Sequence, residues 1–221
     1  MNQAIAENIR NIEAELPDQV MLVAVTKYHN VEETQAVVDA GVYNLGENKV
    51  QDLMAKQEQI SGPVRWHFIG HLQTNKVKYL IGNVVLIHSV HSLKLLKTIE
   101  KESAKKNTVT NILLQFNLAK EDTKSGFMAE DFNAVLDQAA QYSHVNLQGL
   151  MAIGPMTKNT DEIRKIFKQL KRMYDTMKQE YLDGKNDVHY LSMGMTDDYP
   201  IAVEEGSSIV RIGRKIFKCK E

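Results

Sequence analysis

The chain is short of the features that would send it outside the cell, into a membrane or onto a nucleic acid. Of 221 residues one is cysteine, Cys219, and four are proline. A single cysteine cannot close an internal disulfide, which excludes the small stapled scaffolds of secreted proteins and fits a reducing compartment. Charge of either sign is not in excess: 27 Lys+Arg against 28 Asp+Glu leave a net −1. No global basic field exists to hold a nucleic acid backbone or an anionic membrane, so any anion must be caught locally. Long apolar runs are missing too. VMLVAV (20–25) and VVLI (84–87) fall far below the roughly 20 residues needed to span a bilayer. The opening MNQAIAENIRNIEAEL lacks an uninterrupted apolar core and is expected to be a folded helix rather than a secretory signal. A Pro/Gly/Ser-rich linker is absent as well, and the expectation is one domain, 1–221, long enough to bury a core without staples.

What is present is an alternation of two textures. Short β-branched apolar runs, at 20–27, 42–48, 65–71, 84–90, 110–117, 146–154, 189–195 and 208–217, read as eight strands. Charged stretches with helical periodicity separate them at 31–40, 49–59, 73–81, 92–106, 129–142, 160–180 and 197–205, with a leading helix at 2–16. Alternating strands and helices mean parallel strands joined by right-handed crossovers. Eight such units predict a closed α/β barrel of the (β/α)₈ TIM type, at the short end of its range of about 200 to over 400 residues. The rival is a doubly wound open sheet. Its phosphate fingerprint is missing, since VAVTKYHN after the first strand contains no glycine.

In a parallel barrel the C-terminal ends of the strands carry the function, so the residues that close each run are the candidates. Lys27 ends an otherwise wholly apolar strand. Its ammonium either reaches solvent at the strand end or, with its charged form disfavoured over a packed core, serves as a Schiff-base amine; position alone leaves both open. SMGM (192–195) and RIGR (211–214) close the last two strands with glycines and the Ser192 hydroxyl, a pattern that suits a phosphate cradle, although each glycine taken singly is an ordinary turn residue. His67 and His71 share strand parity and invite a metal, but no Cys, Asp or Glu with ligand spacing joins them; His88 and His91 read as core or rim residues. The lysine-rich helices 94–106 and 164–180 read as solvated faces over an apolar stripe. A polar loop at 117–127 has the length of a functional loop.

Taken together, VAVTK around Lys27, GENKVQ (46–51), WHFIGHLQTNK (66–76), KSGF (124–127), GLMAI (149–153), LSMGMTDD (191–198) and VRIGRKIF (210–217) resemble the pyridoxal phosphate homeostasis proteins, single-domain relatives of the alanine racemase N-terminal barrel. The resemblance runs through nearly the whole chain. It implies that Lys27 forms the covalent aldimine with pyridoxal 5′-phosphate, that Ser192 with the backbone of Gly213 and Arg214 cradles its phosphate, that Arg211 faces the pyridine nitrogen, and that Asn48 lies close by; no metal is implied. His71, Gln73, Asn75 and Lys76 belong to the motif without an assigned role. The family's usual small hydroxyl residue is replaced here by Arg214 and its glycine by Lys218. An arginine opposite the ring nitrogen disfavours the pyridinium and weakens the electron sink, and eight βα units leave no length for the second domain of a racemase. The resemblance therefore implies a cytoplasmic cofactor carrier, a monomer or weak dimer, that balances free cofactor and amino-acid and keto-acid metabolism and serves pyridoxal phosphate-dependent apoenzymes. The alternatives are a weak racemase or decarboxylase and, from the fold alone, a Schiff-base aldolase.

Overall fold

A computed structural model describes residues 2–121, 123–180 and 188–218; Cys219 lies outside them. Eight parallel strands close into a barrel in sequence order: β1 (Met21–Val25), β2 (Asn44–Glu47), β3 (Arg65–Phe68), β4 (Leu86–Val90), β5 (Thr110–Phe116), β6 (Val145–Ala152), β7 (Tyr190–Met195) and β8 (Ile209–Ile212). The seam joins the first strand to the last, Met21 opposite Ile209 through Ala24 opposite Ile212. Helices alternate with the strands: α1 (Asn2–Glu15), α2 (Val31–Asp39), α3 (Val50–Gln57), α4 (Val77–Leu80), α5 (Leu93–Lys105), α6 (Phe132–Ala140), α7 (Thr160–Glu180), α8 (Tyr199–Glu204) and α9 (Arg214–Phe217).

Each side chain's parity decides which of two cores it joins. Odd residues of β1 face the lumen, where Val23 packs with Leu86, Leu113, Met151 and Ile209. Even residues Leu22 and Ala24 pack outward against the helices in a much larger layer. Local sequence sets the helix boundaries. Asn30 caps α2 by accepting from the Glu33 N–H while the Glu33 carboxylate accepts from the Asn30 N–H, a reciprocal pair that fixes the first turn. Ser92 caps α5 through the Leu95 N–H.

Two expected elements are shorter than the sequence suggests. The eighth strand stops at Ile212, and the RKIF segment expected to prolong it is the single helical turn α9. Its apolar, β-branched texture reads as strand, but Gly213 turns the chain and Ile216 is buried beneath α1 instead of joining the sheet. The expected helix 73–81 is a 3₁₀ turn at 74–76 followed by the one-turn α4. No helix among the described residues is long and apolar enough to cross a membrane.

Candidate functional site

The loop after β1 is built as a tight reversal. His29 N–H donates to the Thr26 carbonyl at 3.1 Å, and Tyr28 takes a left-handed backbone (φ 70°), unusual for a residue with a bulky side chain. Lys27 stands at this turn, half-buried, two residues beyond the lumen-facing Val25. Its Nζ is 5.6 Å from the centre of the exposed Tyr28 ring.

Beneath the turn lies a buried ion pair that sequence reasoning did not anticipate. Lys56 Nζ donates to Glu47 Oε1 at 2.5 Å and to the Thr26 carbonyl at 2.7 Å, and Thr26 Oγ1 donates to the same carboxylate oxygen at 2.7 Å. Thr26 precedes Lys27 and Glu47 precedes Asn48, so one lysine from α3 fixes the ends of both β1 and β2. The available signal was a lysine continuing the apolar stripe of α3, with Val50, Leu53 and Lys56 all buried. Asn48 follows in close contact with the next strand's loop. A Cβ on Gly70 would stand 2.1 Å from the Asn48 carbonyl oxygen, so only glycine permits this approach.

On the other side of the seam, Gly213 lies where a Cβ would meet the Val25 carbonyl at 3.0 Å. It precedes α9, whose first N–H groups have no partner within the helix. His29 stacks on Phe217 with ring centres 3.5 Å apart, which clamps the Lys27 loop to α9. From outside, α1 holds the same turn. Asn8 Nδ2 donates to the Ile216 and Lys218 carbonyls at 2.9 Å, and Lys215 Nζ reaches Glu15 at 2.9 Å and Tyr199 Oη at 2.5 Å. The Arg214 side chain is exposed and pairs with Asp197 in the β7 loop.

Arg211 is buried in the lumen, its register partner being Val23. Nη1 donates to Ser192 Oγ at 2.6 Å and Nη2 to the Ala152 carbonyl at 2.9 Å. Burial pulls the guanidinium down to about 10, opposed by the nearby Asp198 carboxylate, and it remains charged at neutral pH. Burial in turn pushes Asp198 up, against the Met195 N–H that donates to its Oδ1 at 2.5 Å.

The structure thus brings Lys27, Asn48, Gly213 and the Arg214 backbone together at the barrel mouth, with Arg211 in the lumen. Ser192 is placed differently from its expected role. It is fully buried, and its hydroxyl lies between Arg211 and His88 Nδ1, 2.9 Å away, in the barrel interior. The hydroxyl residue at the end of β7 is instead the half-buried Thr196, one residue beyond Met195, which registers with Arg211. The first histidine pair is also separated. His67 is buried in the lumen, while His71 lies at the rim, 2.9 Å from Ser125 Oγ and stacked on His91. No group of three metal-ligating side chains occurs among the described residues. A groove of about 530 Å³ runs along the basic outer face of α7, lined by Arg164, Lys165, Lys168 and Arg172, and matches the expected solvated helix face.

The site fits a small phosphorylated aldehyde. Asn48 Oδ1 is buried without a hydrogen-bond partner, an orphaned acceptor of the kind that a ligand satisfies. Beside it stand an amine, a glycine-lined turn with free backbone donors and a buried cation.

Several known proteins are similar to this chain over most of its length. The family model for the alanine racemase N-terminal domain matches residues 2–220. The chain is 39% identical to the pyridoxal phosphate homeostasis protein of Aquifex aeolicus, over 81% of this chain and 78% of that protein. It is 38% identical to the pyridoxal phosphate homeostasis protein of Helicobacter pylori, over 90% and 87%. Among solved structures, PipY of Synechococcus elongatus with PLP bound superposes with a TM-score of 0.89 at 31% identity, covering 97% of this chain and 100% of that one. An alanine racemase of Clostridium difficile shares the fold at 13% identity, with a TM-score of 0.81 over 99% of this chain and 60% of its own.

Proposed function

The chain belongs to the alanine racemase N-terminal domain family and, within it, to the pyridoxal phosphate homeostasis proteins, and from that premise we propose that it binds pyridoxal 5′-phosphate reversibly and buffers the cofactor inside the cell. The observation that carries the reading is the convergence of the Lys27 amine, the unpartnered Asn48 oxygen and the Gly213 turn at one barrel mouth. Lys27 is the covalent attachment point. The backbone N–H groups at Gly213 and Arg214 take the phosphate, joined by the Thr196 hydroxyl; Ser192, spent on Arg211 and His88, acts from below. Asn48 contacts the bound cofactor through its buried oxygen. Residues 1–221 act as one binding domain, because the seam of the closed barrel lies inside the site.

When bound, the cofactor supplies an electrophilic aldehyde carbon and a ring that draws electron density. The buried charge of Arg211 would oppose protonation of a ring nitrogen held near it, which favours holding the cofactor over using it. A carrier role follows, with delivery to pyridoxal phosphate-dependent apoenzymes in the cytoplasm by a monomer or weak dimer.

Borohydride reduction of protein incubated with pyridoxal 5′-phosphate, followed by peptide mass spectrometry, should place the added mass on the Lys27 peptide. Lys27→Ala should lose that label and keep weaker, phosphate-dependent binding. Labelling elsewhere, or none, would sink the assignment, and turnover of L- to D-alanine at ordinary enzymatic rates would replace the carrier with a racemase.

A further inference from the structure

Five polar side chains cross a lumen that also holds the apolar cluster Val23, Leu86, Leu113, Met151 and Ile209. Arg211 Nη1 is 2.6 Å from Ser192 Oγ, which is 2.9 Å from His88 Nδ1. His88 Nε2 is 2.9 Å from His67 Nδ1, and His67 Nε2 is 3.2 Å from Asn44 Oδ1. The residues come from β8, β7, β4, β3 and β2 in turn.

The ends of this row fix its direction. A guanidinium only donates, so Ser192 accepts from Arg211 and has its own proton to give to His88 Nδ1. His88 then carries its proton on Nε2 and donates to His67 Nδ1. His67 likewise carries its proton on Nε2 and donates to the Asn44 oxygen. Each imidazole has one N–H and one lone pair, and both are used. A second proton on either ring would oppose a donor to a donor, with the cations Arg65 and Arg211 facing the pair and Asp198 as the carboxylate near Arg211. Burial accordingly holds His67 down at about 3 and His88 well below its ordinary value.

We infer that His88 and His67 are positioning residues of the cofactor site, which act through Ser192 to fix where Arg211 presents its guanidinium and hence where the cofactor ring settles. The inference rests on the pyridoxal phosphate reading above. Barrel interiors are ordinarily filled by Val, Ile and Leu, and burying polar groups costs free energy even when they are paired. Here the polar row is continuous and terminates on Arg211, whose Nη2 reaches the Ala152 carbonyl at the C-terminal end of β6. It is not a proton conduit, because its first donor is an arginine that keeps its proton at neutral pH.

Ring-nitrogen NMR on ¹⁵N-histidine-labelled, cofactor-free protein tests the row directly. His67 and His88 should both appear as neutral Nε2–H tautomers that do not titrate between pH 8 and 5; an Nδ1–H tautomer, or titration near 6.5, overturns the inference. Titration with pyridoxal 5′-phosphate, read by absorbance, tests the consequence. His88→Leu and Ser192→Ala should each weaken binding about tenfold or more. His88→Asn, whose amide oxygen can accept the Ser192 proton, should recover most of the loss, and the Lys27 label should form in all three. Unchanged affinity in His88→Leu and Ser192→Ala refutes the positioning role. Failure of the unaltered protein to bind refutes the cofactor reading instead, while the tautomers still report on the row; if His88→Leu does not fold, Ser192→Ala and the tautomers decide.

Discussion

Replacing Lys56 with methionine should unfold more than a surface lysine ever could. Lys56 is 7% exposed and Glu47 fully buried, and their 2.5 Å contact is accompanied by the lysine's bond to the Thr26 carbonyl. Methionine fills similar volume but leaves the Glu47 carboxylate with Thr26 Oγ1 as its one remaining donor among the described residues, and Oε2 has none to begin with. Breaking one side of a buried ion pair costs about 3–5 kcal/mol. In a chain of this size each kcal/mol lowers the melting temperature by about 2–4 °C, so the variant should melt roughly 6–20 °C below the unaltered protein. Urea unfolding of cofactor-free protein should show a lower midpoint and an unchanged slope. The double variant Lys56→Met with Glu47→Gln removes both charges and should recover much of the loss, a coupling of about 2 kcal/mol or more. A single variant within about 1 kcal/mol of the parent, or additive losses in the double, would refute the reasoning that this pair is desolvated and mutually dependent.

Acid should weaken the fold through the lumen histidines: the unfolded chain takes up a proton near 6.5 that folded His67 refuses until about 3, so stability is full above pH 6.5 and falls below it, by about 2 kcal/mol at pH 5 from His67 alone. Urea midpoints at pH 8 and 5 should therefore differ less in His67→Gln than in the parent; equal differences would contradict the assignment. Gly70→Ala should displace Asn48, whose carbonyl lies 2.1 Å from the new methyl position, with a stability loss of about 1–3 kcal/mol and a loss of cofactor affinity in the same absorbance titration. Asn8→Ala removes two 2.9 Å bonds to the α9 region and should loosen that turn, seen as faster amide exchange at 214–217 with the barrel strands unchanged.

Much of the architecture was legible because the two periodicities of strand and helix are local. Eight βα units can be counted in the sequence, and the barrel follows from the count. The boundary at Ile212 was not legible, since VRIGRKIF keeps its apolar texture across Gly213 while the backbone turns. Strand-end candidates were legible for the same local reason: Lys27, Asn48 and Gly213 each follow an apolar run. Ser192 also ends such a run, yet its hydroxyl faces the lumen, because it registers with Met151 on one side and Ile209 on the other, both lumen residues. The histidine row was hidden because its partners are far apart in sequence, Asn44 and Arg211 at the extremes, and nothing in one strand names its neighbour across a closed barrel; the Lys56 tie is local to β2 and α3, and its one signal was a lysine on the apolar stripe of α3.

The seam between β1 and β8 joins residues 188 positions apart, Met21 and Ile209. Contacts of such separation are slow to form, because a long loop must be closed before they return any energy. Lys27 lies on one side of that seam and Gly213 on the other, so a ligand held by both acts as a reversible staple across a loop that takes in most of the chain. A half-folded chain whose seam is still open holds the two halves of that grip apart.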